Sequence, residues 1–457
     1  MVTVAVAGAF ALEARTFEVA AWRGETVATR VPDFAELGKA PDGIKVRFGV
    51  LKTVKYAPAV ESLQRLEVYD RVEWDADDDG PRVVEVSVPA DAKPGVYTCG
   101  MMDIRVVDRV LPPAKKWTYY LDLWQHPWAT ARIAKTKPFS KEHYKAMRPV
   151  YELLATAGQK TITVSILDQP WDHQCFDAYH SMVDDANFRT FDEYVQFCLD
   201  CGLGPDISCY SLCPWTLCKD IDADELEQRW GAFLDRFTKH LREKGWYERT
   251  LMAMDERKPE DVQKVVEFVR RHAPGLRISM AGNRKPSDFN GIDIDVYSQI
   301  LSHVSPDFLA EMPARRAKGF VTTFYVCCGP ACPNTFMSSG PGEAFWLGAY
   351  PAMVGLNGFL RWAWNSWPLD ACADASYGNW RAGDTFLVYP DGSPSARFLE
   401  LLNGIQQAEK FNILKSKGVR VDELQALAAK YDLKAALGKK PGDFRELVKT
   451  TREVLNK

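Results

Sequence analysis

No apolar run in the chain approaches the roughly 18 residues that a membrane helix needs. No excess of positive charge marks it for nucleic acid or anionic lipid either, since the formal net charge is -4. The opening MVTVAVAGAFALEART is apolar but has no basic flank, so it reads as a first strand rather than a signal peptide. On that reading the chain is cytoplasmic as it stands, and secreted or periplasmic if the start is a truncation. No GxGxxG or GxxxxGK[ST] follows a strand candidate, which removes the usual nucleotide cradles. The 11 cysteines are odd in number and form no disulfide framework. Cys198 and Cys201 make a CxxC, but it lies in the helical pattern FDEYVQFCLDCG, where packing explains it. Cys327 and Cys328 precede Pro330, and Cys209, Cys213 and Cys218 have no nearby His. No metal and no cofactor is expected.

What remains is an ordinary globular composition, with 46% hydrophobic and 26% charged residues among 457. That length suggests two or three domains, with cores large enough to need no staples. The 14 Trp and 17 Tyr are an excess. Flat rings of this kind fill large cores, and they also pack on the apolar face of a pyranose.

Residues 1–112 carry short alternating runs such as FEVAAW, ETVATRV, IKVRFGV, RVVEVSVPA and GVYTCGMMDIRVV. PDG, DDDGP and KPG punctuate them, so an all-β sandwich is expected there. LPPAKKW reads as a linker. From residue 117 to 410 the texture becomes strand, helix, strand, helix. Eight strand candidates stand out: 118–124, 161–167, 206–212, 250–254, 277–282, 293–300, 321–327 and 358–364. Eight such units predict a (β/α)8 TIM barrel, with a doubly wound sheet as the alternative. Residues 411–457 read as a short helical C-terminal appendage.

Active sites of such barrels lie where the strands end. At the fourth end stands LMAMDERKPED, with Asp255 and Glu256 side by side. Neighbours on a regular strand face opposite ways, so two acids share a site only if the strand stops there. The alternative is a polar turn opening the next helix. The other ends are crowded with Trp, Tyr, His, Asn and acids: WQHPWA, DQPWDHQCFDAYHSM, CCGPACPNTFM and WAWNSWPLD.

The segments LDLWQHPWATAR, RPVYELLATAGQKTITVSIL, MAMDERKPED, FYVCCGPACPNTF and RWAWNSWPLD…YGNWRAGDTFLVYP closely resemble glycoside hydrolase family 123, over about residues 1–410. The resemblance implies a β-N-acetylgalactosaminidase that works by a substrate-assisted retaining mechanism. It implies that Glu256 is the general acid and then the base toward water. It implies that Asp255 orients the 2-acetamido group, whose oxygen attacks C1, so the enzyme supplies no nucleophile. Two adjacent acids suit these different jobs, because an anion and an apolar wall both raise a neighbouring carboxyl.

Further candidates are weighed against packing. By alternation Trp362 and Trp364 share one face, and one of them is a candidate floor for a sugar ring. Arg361, Ala363 and Asn365 take the other face, and Asn365 is a polar candidate. Tyr297 and Tyr325 end strands six and seven, where a hydroxyl can reach an acetamido carbonyl. Asp384 is a candidate for sugar hydroxyls or a loop cap. His126 and Trp128 follow the first strand, and Asp168 and Trp171 the second.

Three functions stay open at this stage. One is a hexosaminidase acting on a glycan with a terminal β-linked N-acetylhexosamine. The second is a glycosidase of other specificity, with a nucleophile at Asp168, Asp295 or Asp384. The third is a non-catalytic glycan binder. No nucleic acid and no membrane partner is expected.

Overall fold

The protein is described here by a computed structural model covering residues 16–60, 62–76, 78–169, 176–183, 187–212, 223–438 and 444–457. The strand expected at the N-terminal end falls in residues 1–15, outside that range. The chain divides into two compact units. One comprises residues 1–50, 74–111 and 456–457; the other comprises residues 51–73 and 112–455.

Two sheets form the β-sandwich, and most of their strand residues belong to the first unit. Strands β1 (Phe17–Arg23), β7 (Met102–Val110) and β6 (Gly95–Cys99) form one sheet in the order β1-β7-β6. The other sheet runs β2-β5-β3-β4, from β2 (Thr26–Arg30), β5 (Arg82–Ser87), β3 (Lys45–Tyr56) and β4 (Leu66–Trp74). Inward residues of both sheets, including Val19, Ala21, Val27, Val84, Val86, Ile104 and Val106, meet in one buried cluster. This is the alternation seen in the sequence, one face per sheet buried.

The second unit is the barrel. All eight strand candidates are strands: β8 (Tyr120–Leu123), β9 (Thr161–Ser165), β10 (Asp206–Tyr210), β11 (Thr250–Asp255), β12 (Arg277–Gly282), β13 (Val296–Ile300), β14 (Val321–Tyr325) and β15 (Gly358–Arg361). They pair in parallel in the order β8-β15-β14-β13-β12-β11-β10-β9. Helices intervene, among them Lys141–Thr156, Arg189–Asp200, Ala232–Glu243 and Pro259–His272. No described helix is long and apolar enough to cross a membrane. All eight described cysteines are free thiols. Cys198 and Cys201 sit buried on and beside the helix Arg189–Asp200, and burial pushes both thiols up.

The seam between β8 and β9 closes differently from the rest. A single bridge joins Leu121 to Gln159. Side-chain amides then do what backbone does elsewhere. Gln159 Oε1 accepts the Leu123 N–H at 2.9 Å, and its Nε2 donates to the Thr161 carbonyl at 2.9 Å. Gln125 Oε1 accepts the Thr163 N–H at 2.9 Å. The Leu123 and Thr163 N–H groups and the Thr161 carbonyl thereby find partners at the seam.

The last long helix, Ala396–Ser416, crosses Pro341–Val354 through two glycines. A Cβ on Gly404 would lie 2.2 Å from the Phe345 carbonyl oxygen, and one on Gly348 2.5 Å from that of Leu401. The helix runs past residue 410, and the C-terminal helices Val421–Ala428, Leu433–Leu437 and Arg445–Leu455 follow it.

Inside the barrel Tyr120, Leu251 and Val296 pack together near the strand starts. Above Tyr120 on the same face lies Asp122, which Thr161 and Trp124 hydrogen-bond. Burial lifts the Asp122 carboxyl from its ordinary 3.8 to about 7. The unfolded chain therefore sheds this proton near pH 4, whereas the folded protein holds it to about pH 7. Stability falls as pH rises between those limits, by up to about 4 kcal/mol. Asp122→Asn is expected to raise the urea unfolding midpoint relative to wild type at pH 8, and to leave it level or lower at pH 4. An equal difference at both pH values would rule out this account.

Candidate active site

The acid pair is built by the way β11 ends. Leu251 to Met254 are buried, and Asp255 keeps register opposite Ala281 of β12. Leu251, Ala253 and Asp255 share the inward face by period two. Glu256 still donates its N–H to the Ala281 carbonyl at 2.8 Å, but its φ is +44°. A left-handed φ is costly for a residue with a Cβ and turns the chain sharply. Pro259 then opens the helix Pro259–His272, with Glu260 and Asp261 in its first turn. The turn denies Glu256 the outward direction that alternation would give it. Its Oε1 instead accepts a hydrogen bond from the Tyr325 hydroxyl, at the C-terminal end of β14. Ser211, directly after β10, has the same left-handed backbone, with φ +55°.

Tyrosines surround the pair. Burial raises the Tyr325 phenol far above its ordinary value, and the charge of Glu256, its hydrogen bond and the charge of Asp255 raise it further. Tyr210 is raised by burial, then by Asp122 and Asp255. Tyr297 is raised chiefly by burial. All three phenols therefore keep their protons at neutral pH, and Tyr325 is the one that donates to Glu256.

The other candidate residues divide by what holds them. The Tyr297 hydroxyl donates to the Arg284 carbonyl at 2.5 Å, and its side chain is fully buried. Gly282 leaves room for it, since a Cβ there would lie 2.4 Å from that hydroxyl. Tyr297 is thus committed to the wall.

The eighth strand corrects the alternation argument. It stops at Arg361, three residues earlier than the pattern suggested. Beyond it the backbone is irregular, and Trp362 and Trp364 part company. Trp362 donates its Nε1–H to Asp384 at 3.1 Å, and its ring lies 4.8 Å from that of Trp380. Trp364 donates to the Val150 carbonyl at 3.2 Å and packs on Phe398, between outer helices. A Trp held there has no sugar to floor.

Asp384 is not a surface carboxylate. It is paired with Arg361 at 2.8 Å, and both side chains are 0% exposed. Asn365 clamps the His126 backbone from both sides, accepting its N–H at 2.8 Å and donating to its carbonyl at 3.1 Å. His126 is buried, donates through Nε2 to the Asp177 carbonyl at 3.0 Å and lies against the Tyr179 ring, tilted by 42° to it. Burial lowers its pKa to about 3, so it is neutral when the protein works. Trp128 meets His126, Phe139, Tyr179 and His180 edge-on. These three residues brace the loop after β8.

Asp168 is 69% exposed, and its Oδ1 accepts the Ser181 N–H at 2.7 Å. Asp295 caps the start of β12 by accepting the Ile278 N–H at 2.9 Å, at the opposite end of the barrel from the acid pair. Neither is presented as a nucleophile. Trp171 lies outside the described residues.

Two contributors escaped sequence reasoning. Tyr210 ends β10 beside Asp255, and the rule that sites gather at strand ends was signal enough to find it. Arg361 carried no signal, because alternation does not reveal a buried guanidinium.

The description of the glycoside hydrolase 123 catalytic domain matches residues 124–414, well over half of the chain. The chain belongs to glycoside hydrolase family 123. Its fold agrees: a family 123 glycoside hydrolase from Clostridium perfringens superposes with a TM-score of 0.80. The identity is 22%, over 97% of this chain and 92% of that one. A Clostridium thermocellum endo-1,4-β-D-xylanase 10B gives a TM-score of only 0.37, with 9% identity over 84% of each chain. No curated protein matches the chain. This family 123 glycoside hydrolase is a glycosidase, and its substrate is a glycan. Among the described residues no group of His, Cys, Asp and Glu is arranged to hold a metal ion.

Proposed function

We propose that the enzyme is a retaining exo-β-N-acetylgalactosaminidase in which the substrate's own 2-acetamido group is the nucleophile. The observation that carries this reading is the left-handed Glu256, which brings the second acid of an adjacent pair back toward the barrel mouth. In the reaction, Glu256 protonates the glycosidic oxygen as the acetamido carbonyl oxygen closes on C1. The Asp255 carboxylate accepts a hydrogen bond from the amide N–H and stabilises the positive charge that develops on the ring formed. Water then opens that ring, with Glu256 taking the proton back, so the anomeric configuration is retained. Tyr325 occupies one oxygen of Glu256, which leaves the other for the leaving group. The Clostridium perfringens hydrolase is described in terms of glycolipid glycan hydrolysis. A glycan ending in a β-linked N-acetylhexosamine is the substrate class assigned here.

Two measurements test this. An aryl β-N-acetylgalactosaminide should be hydrolysed while the matching β-galactoside, lacking the acetamido group, is turned over at least about 100-fold more slowly. A thiazoline mimic of the bicyclic intermediate should bind far more tightly than substrate. Equal turnover of the two glycosides would sink the proposal.

A further inference from the structure

Two thiols lie together at the barrel mouth, and the proposed reaction uses neither. β14 ends at Tyr325, and Cys327 and Cys328 follow it. Their sulfurs are 3.6 Å apart, in contact but not bonded. Cys328 is exposed and Cys327 is half-buried, so one sulfur of the pair meets solvent directly. The other described pair close in sequence, Cys198 and Cys201, is buried.

The segment that carries the two thiols is held on several sides. Asn334 Nδ2 donates to the Cys327 carbonyl at 3.0 Å and to the Pro330 carbonyl at 2.8 Å. The Cys327 N–H donates to the Gly329 carbonyl at 3.3 Å. Arg361 in turn donates to Asn334 Oδ1 at 3.2 Å and to the Val326 carbonyl at 3.4 Å. A backbone fixed in this way keeps one sulfur within reach of the other. The two thiols are not alike. Burial, the neighbouring sulfur and Asp384 push Cys327 up to about 12. Cys327 therefore stays a thiol, and Cys328 is the one that meets a reagent from solvent. Cys332, the third cysteine of the segment, is buried and hydrogen-bonded to Glu343.

We propose that Cys327 and Cys328 are a reversible oxidation site, at which a hydroperoxide closes the two adjacent thiols into a disulfide. The Cys328 thiol gives its proton to solvent, and its sulfur attacks the peroxide. A sulfur–oxygen bond forms, the oxygen–oxygen bond breaks, and the alkoxide released takes up a proton to become an alcohol. The Cys327 sulfur then attacks the sulfenic acid so formed. The sulfur–sulfur bond forms, the sulfur–oxygen bond breaks, and hydroxide leaves with the Cys327 proton as water. Two electrons pass from the two sulfurs to the peroxide. Adjacent Cα atoms are about 3.8 Å apart, closer than in most disulfides, so the bond is strained and a dithiol reagent reopens it. The inference does not depend on which glycan the enzyme cleaves, because it is read by mass and not by activity.

The test exposes the folded full chain to tert-butyl hydroperoxide, then caps the remaining thiols with iodoacetamide under denaturing conditions. Mass spectrometry follows the tryptic peptide 319–361, which holds Cys327, Cys328 and Cys332. In wild type it should carry a single cap, on Cys332, and three caps if dithiothreitol precedes the capping. Cys327→Ser and Cys328→Ser should form no disulfide within this peptide, and Cys332→Ser should leave the disulfide intact. A wild-type peptide with three caps before reduction, a disulfide that includes Cys332, or a Cys328 that gains oxygen and never pairs overturns the proposal. Phenylarsine oxide gives a second reading without an oxidant, since it bridges two thiols and releases water. Wild type should bind it at least about 10-fold more tightly than Cys327→Ser or Cys328→Ser, because the second sulfur binds intramolecularly. Equal affinity in all three overturns the proposal as well.

Discussion

Replacing Glu256 by Gln is expected to lower kcat by roughly 10² to 10⁴ on substrates with poor leaving groups. Gln keeps the size and planarity of the side chain, and its carbonyl oxygen still accepts the Tyr325 hydroxyl. What it lacks is a transferable proton. The loss therefore depends on how much protonation the leaving group needs. An alkyl glycoside or a natural glycan should show the full effect, whereas a nitrophenyl glycoside leaves with little help and should show much less. KM should change little, because the contact removed matters in the transition state and not in the bound substrate. Asp255→Asn should differ in kind. On the proposed mechanism it removes the charge that steadies the acetamido group during ring closure, so its loss should persist with activated leaving groups. If Glu256→Gln lost the same factor on every leaving group, Glu256 would not be the proton donor.

Asp384→Ala should destabilise the fold by about 3–5 kcal/mol. Arg361 and Asp384 are both fully buried and 2.8 Å apart, and Arg361 also donates to the Asp384 carbonyl oxygen at 2.8 Å. Asn334 Oδ1 accepts from the other terminal nitrogen of Arg361 at 3.2 Å. Truncating the acid leaves a guanidinium without its counter-charge, deep in the protein. Burial already lowers the Arg361 pKa against the raising effect of Asp384. The Trp362 indole N–H loses its acceptor in the same step. Asp384→Asn, which keeps an oxygen for Trp362, should cost less. Urea unfolding midpoints measure this directly. A variant with a wild-type midpoint and only a raised KM would restore Asp384 to the role of a sugar ligand.

The sequence by itself determined the architecture. Eight short β-rich runs separated by amphipathic helices were enough to predict a barrel, because period and spacing are local properties that the fold must satisfy. The sandwich strands were legible for the same reason, although LEVYDRVEW of β4 was missed. Its burial is only partial, and its alternation is correspondingly weak. Asp255 was also readable, since its direction follows from counting along β11.

Local pattern said nothing about what happens where a strand stops. Alternation paired Trp362 with Trp364, but β15 ends at Arg361, and the two rings lie against different layers. Asp384 read as a sugar ligand or a loop cap, and the structure instead places beside it an arginine 23 positions away. The β8–β9 seam depends on Gln159 and Gln125, whose Oε1 atoms accept backbone N–H groups from across the barrel closure. Glu256 depends on a backbone angle and on a tyrosine 69 residues distant. Each of these rests on a contact between segments far apart in sequence, which only the closed barrel brings together. Periodicity along one strand carries the face of each residue up to the strand's last hydrogen bond. Past that point the neighbours across the mouth decide where a side chain goes, and that is where this glycosidase keeps its two acids.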